Sequence, residues 1–287
     1  MVDCHMHMVL DGAYWKSAID RHREAPDIPW IRQILEAYRA KGFAYLRDCG
    51  DRWGVGEAAR RLAPEYGIVY RTPLASLYHK GHYGGIIGLP FETTQEFAAL
   101  VRQNKLNGAD FIKIMISGLM DFDRFGVLTE EGLSQKEIRE LIHIAHEEGM
   151  AVSVHGNGSN NVLAAAMAGV DSVEHGAYLS RETLHAMKEA GTVWVPTLST
   201  IGNLRGKGRF SEPDVEKILT SAMDNVAYYC DIGGLLAPGS DAGAWEVPHG
   251  IHSEYDLMRQ VLGSKTCAAL AEGTAVIQKK FRQEVSL

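Results

Sequence analysis

The stretch 110-DFIKIMISG-118 decides the fold. Phe111 to Ile116 are apolar except for one lysine, Lys113. So short an apolar run, closed by Gly118, reads as a strand buried on both faces, as in parallel sheets. Side chains alternate along a strand, so Phe111, Lys113, Met115 and Ser117 share one face, and Ile112, Ile114 and Ile116 the other. The branched face suits a layer of helices, which leaves Lys113 facing inward. A buried ammonium is costly unless paired. Lys113 is therefore either salt-bridged to an inward acid such as Asp241, or kept neutral by desolvation and nearby cations. A neutral amine can take up CO2 as a carbamate, an anionic group able to bridge two metals.

Seven further runs share this character: 1-MVDCHMHM-8, 43-FAYLRDCG-50, 67-GIVYRTPLAS-76, 151-AVSVHG-156, 171-DSVEHG-176, 192-TVWVPTLS-199 and 235-LLAPGSDA-242. Amphipathic stretches lie between them. Residues 30–42 place Ile31, Ile34, Leu35 and Tyr38 on one face and stop at Gly42. Residues 133–149 open with Ser134 and Glu137, a capping box, carry Ile138, Leu141, Ile142 and Ala145 on one face, and end at Gly149. Residues 159–169, 180–191 and 211–234 repeat the pattern, and 264–283 read as a final helix. Parallel strands need crossover helices. Eight such units in 287 residues predict an α/β fold, a (β/α)8 TIM barrel, read as one domain over 1–287. A doubly wound open sheet is the alternative, but its glycine-rich phosphate loop has only a weak counterpart in 50-GDRWGVGEAA-59.

Composition narrows the function. The chain is 46% hydrophobic and 23% charged, ordinary for a globular core, and its net charge of −7 with no basic run argues against nucleic acid as a partner. No run approaches the ~20 apolar residues that span a bilayer, and no signal peptide is visible. The four cysteines, Cys4, Cys49, Cys230 and Cys267, are scattered and read as reduced thiols in a cytoplasmic protein.

Several polar residues sit where a barrel keeps its chemistry, at strand C-termini. His5 and His7, roughly 6.6 Å apart on one face of the first strand, could share a metal at about 2.0–2.1 Å per bond. With twelve histidines, one such spacing is expected by chance about half the time, so the pair alone is ambiguous. His155 and His175 close the fifth and sixth strands and Asp241 closes the eighth. Imidazole and carboxylate donors suit zinc, or iron, manganese or cobalt. By alternation Cys4 and Met6 point outward to helices, and Asp3 shares the histidine face at a deeper level.

The order H-x-H on strand 1, Lys on strand 4, His on strands 5 and 6 and Asp on strand 8 resembles the binuclear amidohydrolase superfamily. "DFIKIMISG", "VSVHG", "VEHG", "VPTLS" and "GSDAG" look closest to its prolidase and imidazolonepropionase-like branch. The resemblance implies two divalent metal ions, zinc first. His5, His7 and Asp241 would hold one, His155 and His175 the other, with carboxylated Lys113 and a hydroxide bridging them and Asp241 as general base and acid. It implies hydrolysis of an amide or peptide bond in a small substrate, of the dipeptide or N-acyl amino acid class. A lactone or phosphotriester would use the same metals, and a non-enzymatic barrel with a structural metal is the class-level alternative. Relatives usually carry a flanking β-sandwich built from segments before strand 1 and after the last helix; it is expected to be absent in this subgroup or cut from the sequence, and a homo-oligomeric contact could cover the barrel there.

The longer loops hold the substrate candidates. Tyr78, His79, His82 and Tyr83 in "LYHKGHYGG" could stabilise an oxyanion. Arg205, with Lys207 and Arg209, could hold a carboxylate. His252, near His249, is a further candidate, and Asp48 a supporting residue. His143 and His146, one turn apart, read as an exposed helix face.

Overall fold

The computed structural model describes residues 1–282. Its strands are β1 Val2–Met6, β2 Tyr45–Asp48, β3 Val69–Arg71, β4 Leu77–His79, β5 Leu89–Phe91, β6 Ile112–Met115, β7 Val152–Gly156, β8 Ser172–His175, β9 Val193–Val195 and β10 Leu235–Leu236. The helices are α1 Trp15–Arg21, α2 Ile28–Ala40, α3 Val55–Leu62, α4 Thr94–Leu106, α5 Gln135–Glu147, α6 Ser159–Met167, α7 Arg181–Ala190, α8 Ser199–Gly202, α9 Glu212–Asp231, α10 Ser253–Leu262 and α11 Thr266–Lys280.

Every strand ladder is parallel, in one sheet of order β1-β2-β3 and another of order β10-β9-β8-β7-β6-β4-β5. Backbone bonds tie the two sheets together. On one side Cys4 N–H donates to Pro238 O (2.8 Å), His7 N–H to Ala242 O (2.8 Å) and Asp241 N–H to His5 O (2.7 Å). On the other, Asp110 N–H donates to Thr72 O at 2.9 Å. The fold is of the (β/α)8 barrel type, with β3 and β4 forming one interrupted third strand. The run expected over 67–76 breaks because Pro73 has no N–H to donate and Leu74 turns through φ 62°. β5 adds an edge strand that the sequence reading missed, and edge position is what tolerates Pro90.

The helices follow their apolar periods. α2 buries Ile31, Ile34, Leu35 and Tyr38, and its N-terminus is capped by Asp27, which accepts from Trp30 N–H at 3.1 Å. α5 buries Ile138, Leu141, Ile142 and Ala145, with the Ser134 hydroxyl accepting from Glu137 N–H at 3.2 Å. The α5 face meets outward residues of the strands, including Ile112, Ile114 and Ile116, in one large core, and the α2 face packs in a second with Met6, Leu46 and Val55. The final helix is α11, preceded by a short 3-10 turn at Gly263–Lys265. Gln283, at the end of the expected helix, lies outside the described residues.

The barrel floor corrects one expectation. Cys4 packs with the strand-side residues Tyr45, Phe111, Val193, Val195 and Ala237, and the one helix represented among its buried neighbours is the closing one, through Ile277 of α11, with Phe281 just beyond it. The β1–β2 register slips between Asp3 and Met6, so strict alternation fails there. Met6 does pack outward, against residues of α2 and α3. Asp3 leaves the histidine face: its carboxylate accepts from Ser240 N–H (2.9 Å), from the Ser240 hydroxyl (2.5 Å) and from the Tyr38 hydroxyl (3.4 Å).

Candidate metal centre

The strand ends bring His5, His7, His155, His175 and Asp241 to one point. Ring centroids lie 5.3 Å apart for His5 and His7, 4.9 Å for His5 and His175, and 4.5 Å for His155 and His175. Asp241 Oδ1 sits 3.0 Å from His7 Nε2 and 3.2 Å from His5 Nε2. One nitrogen each of His5 and His175 and a carboxylate oxygen of Asp241 lie within 4.8 Å of one another. Lys113 opens into the same cavity, 1% exposed, and its Nζ has no hydrogen-bond partner among the described residues.

Backbone strain helps to aim these groups. His175, Thr197 and Asp241 all have positive φ, at 66°, 49° and 58°. Non-glycine residues adopt that region rarely, and such strain gathers at functional sites. At His175 its use is visible. Glu174 already faces inward, with Oε2 2.7 Å from His5 Nδ1, and alternation would send His175 outward. The positive φ turns it back toward His5.

A buried polar layer lies beneath. Glu174 Oε1 accepts from Arg47 Nη2 (2.7 Å), Ser153 Oγ (2.8 Å) and Ser172 Oγ (2.6 Å), while Arg47 Nε donates to Cys4 O (2.6 Å). His175 Nδ1 contacts Thr197 Oγ1 at 2.8 Å. Asn157, fully buried, donates to Gly118 O at 3.0 Å, accepts from Ala177 N–H at 2.9 Å and lies 3.4 Å from His155 Nε2. Sequence reasoning passed over Arg47, Glu174 and Asn157. The first two carried the same signal as Lys113, a charge inside a buried strand.

Electrostatics fit a cation. Burial, reinforced by Lys113, pushes the His155 imidazole down to about 3. Burial and His155 hold the His175 imidazolium well below its ordinary range. Burial also lowers the Lys113 ammonium. At Asp241 burial works upward, but His5 and His7 outweigh it and keep the carboxyl well below the usual range. At His5 burial opposes charge, yet Cys49 and Asp241 override it and favour a positive charge. Among the described residues His7 Nδ1 and Lys113 Nζ are buried without hydrogen-bond partners, and His5 Nε2 and Asp241 Oδ1 meet only each other and His7. Such groups cost about 1–3 kcal/mol each when unsatisfied. The neutral imidazoles of His155 and His175, a carboxylate and an amine are donors for a divalent ion of the zinc type, and an ion at His5 would take the place of its proton.

Above the cluster opens a cavity of about 350 Å³, walled by apolar side chains including Ile87, Met115, Leu119, Phe122, Phe210 and Trp245. Tyr83 reaches it, with its ring 4.7 Å from that of His155. The other substrate candidates do not line it. Tyr78 packs beneath Gly84, where an added Cβ would come within 2.5 Å of it. His79 pairs with Glu137 at 2.5 Å and stacks on Phe91, and His82 faces Glu130 at 3.4 Å. Arg205 turns back to Gly202 O at 3.2 Å, and Lys207 pairs with Glu246 at 2.6 Å. His252 Nε2 contacts Lys41 O at 3.2 Å and its ring lies against Phe43. These groups have local partners that loop position in the sequence does not reveal. Of the basic residues Arg205, Lys207 and Arg209, it is Arg209 that lines the cavity, its guanidinium 4.2 Å from the Trp245 ring centroid. His249 Nε2 donates to Leu10 O at 2.8 Å and its Nδ1 lies 3.3 Å from the Tyr38 hydroxyl, and Asp48 accepts from Met8 N–H, Gly50 N–H and the Thr72 hydroxyl, so both are structural ties. His143 is exposed beside Glu147, and His146 contacts Asp171 at 2.9 Å.

The Amidohydrolase family model matches residues 32–277. The chain belongs to that family. The match begins after His5 and His7, which the fold adds to it. This amidohydrolase is 27% identical over 237 residues to ochratoxinase of Aspergillus niger, covering 69% of the chain and 47% of that protein. It is 29% identical over 260 residues to an uncharacterised Mycobacterium bovis protein, covering 87% of the chain and 65% of that protein. The chain thus spans about half to two thirds of the length of these curated relatives. Among solved structures, a Xaa-Pro dipeptidase with bound methionine superposes with a TM-score of 0.77 at 22% identity, over 100% of this chain and 77% of that one. No helix among the described residues is long and apolar enough to cross a membrane.

Proposed function

We propose that this amidohydrolase is a metal-dependent hydrolase that cleaves an amide or peptide bond in a small substrate of the dipeptide or N-acyl amino acid class. The convergence of His5, His7, His155, His175 and Asp241 beside Lys113, whose buried Nζ has no hydrogen-bond partner among the described residues, carries the proposal. His5, His7 and Asp241 would hold one divalent ion and His155 and His175 another, with Lys113 between them as its carbamate. When bound, the ions supply Lewis acidity, polarising a carbonyl and lowering the pKa of water.

The chain's own groups do the rest. Asp241, held as a carboxylate between His5 and His7, takes the proton of the attacking water and returns it to the departing nitrogen. Tyr83, at the cavity wall beside His155, donates its hydroxyl to the carbonyl oxygen as charge develops there. The apolar walls accept an uncharged side chain and exclude water. Arg209, stacked on Trp245 at the rim, supports a substrate with a free carboxylate.

The test is turnover by metal-loaded protein on matched dipeptides, N-acyl amino acids and lactones. Hydrolysis of N-acyl amino acids or dipeptides, with a loss of ~10²–10⁴-fold in kcat for Asp241→Asn, is expected. Fully metallated protein that cleaves only lactones, or no acyl bond at all, contradicts the proposal.

A further inference from the structure

Cys49 follows the last residue of β2, and its backbone pins it to the metal centre. Its N–H donates to Met6 O at 2.9 Å, the carbonyl between the two histidines of β1. Gly50 then turns away with φ 85°, where a side chain would strike Pro73 and Ser76. Cys49 is 1% exposed and forms no disulfide. Its Sγ and one ring nitrogen each of His5 and His7 lie within 4.8 Å of one another. This triad shares His5 with the His5, His175, Asp241 group, so two candidate ion positions meet at one ring.

A second observation points the same way. Lys113 Nζ, on a residue 1% exposed, and the buried Nδ1 of His7 are without hydrogen-bond partners among the described residues. Sulfur at about 2.3 Å and imidazole nitrogen at about 2.0–2.1 Å from one ion give ligand separations that fall inside this spacing.

We infer, resting on the metal-centre proposal above, that the Cys49 sulfur is a direct ligand of the ion held by His5 and His7. The thiol proton leaves as the sulfur–metal bond forms, so uptake at this position releases a proton. A thiolate shifts the preference toward softer ions such as zinc and cadmium, and away from manganese and magnesium. It also couples metal loss to thiol reactivity, because the ion covers the nucleophilic sulfur.

The experiment loads the full chain with Co2+ and reads three signals: bound cobalt by elemental analysis, sulfur-to-cobalt charge-transfer absorption, and alkylation of each cysteine by iodoacetamide, mapped by mass spectrometry. Exposed Cys267 is the internal control. Expected are a charge-transfer band in the wild type, its loss in Cys49→Ala and Cys49→Ser, and Cys49 alkylation that rises when cobalt is removed while Cys267 alkylation does not change. Should both variants fail to fold, the wild-type band and the alkylation contrast decide. Cobalt bound without a band, or a band that survives in a folded Cys49 variant, overturns the inference and leaves the metal centre standing. A wild type that binds no cobalt or zinc overturns the metal centre itself, and the inference with it.

Discussion

His5 and Glu174 are joined by a 2.7 Å contact between Nδ1 and Oε2, and the other Glu174 oxygen meets Arg47 at 2.7 Å. The contact fixes which nitrogen of His5 is free, because a ring whose Nδ1–H is donated presents Nε2 to the cavity. It also places an ion pair, both members fully buried, beneath the cluster.

Glu174→Gln leaves the Arg47 charge uncompensated in the interior. Breaking one side of a buried pair costs about 3–5 kcal/mol. Urea unfolding should show a loss of that size, and the double replacement Arg47→Met with Glu174→Leu should recover much of it. A single variant as stable as wild type would show that Arg47 finds another partner.

Thr197→Val keeps shape but removes the oxygen 2.8 Å from His175 Nδ1. Losing such an orienting partner typically weakens metal affinity by ~10–100-fold. Competition with a chelator should show that drop with little change in Tm. Unchanged metal affinity would mean that the strained backbone alone holds the ring.

Arg209→Ala should raise KM for a substrate with a free carboxylate more than for its amide counterpart. Arg209 is exposed at the rim, so the expected difference is about 0.2–1 kcal/mol, a few-fold in KM. Equal effects on both substrates would remove Arg209 from carboxylate recognition.

His22 gives a pH-dependent contribution away from the site. Burial, with Arg21 beside it, lowers its pKa to about 4, and its neutral Nδ1 accepts from Asp27 N–H at 3.0 Å. The unfolded imidazole titrates near ~6.5, so between about pH 6.5 and 4 the unfolded chain binds more protons. The stability His22 contributes is present above that window and is lost as pH falls through it. Urea midpoints for wild type and His22→Gln should converge as pH drops from ~7 to ~4. Parallel curves would refute the assignment.

Much of the barrel was legible because buried parallel strands and amphipathic helices leave opposite periods in sequence. The lysine inside "DFIKIMISG" and the histidines before glycines marked the strand ends that converge. Less was legible where backbone geometry overrides the period. The slip after Asp3 and the positive φ at His175 each move a side chain to the face that alternation denies it. The interrupted third strand follows from Pro73, which the sequence showed without showing its consequence. Residues read as loop were hardest: His79, which closes β4, and His82, Arg205 and His252 resemble binding groups in type, but nearby carboxylates and carbonyls engage them. Cys49 was read as one scattered thiol, since nothing local in "RDCG" reveals the histidines beside it.

The central claim is that these strand ends hold a pair of metal ions. Elemental analysis of wild-type protein, loaded with zinc and freed of excess by gel filtration, tests it most directly. About two equivalents per chain are expected, as in two-metal hydrolytic sites, and the count should fall in Lys113→Ala. A folded wild type that retains about one equivalent or none contradicts a binuclear centre.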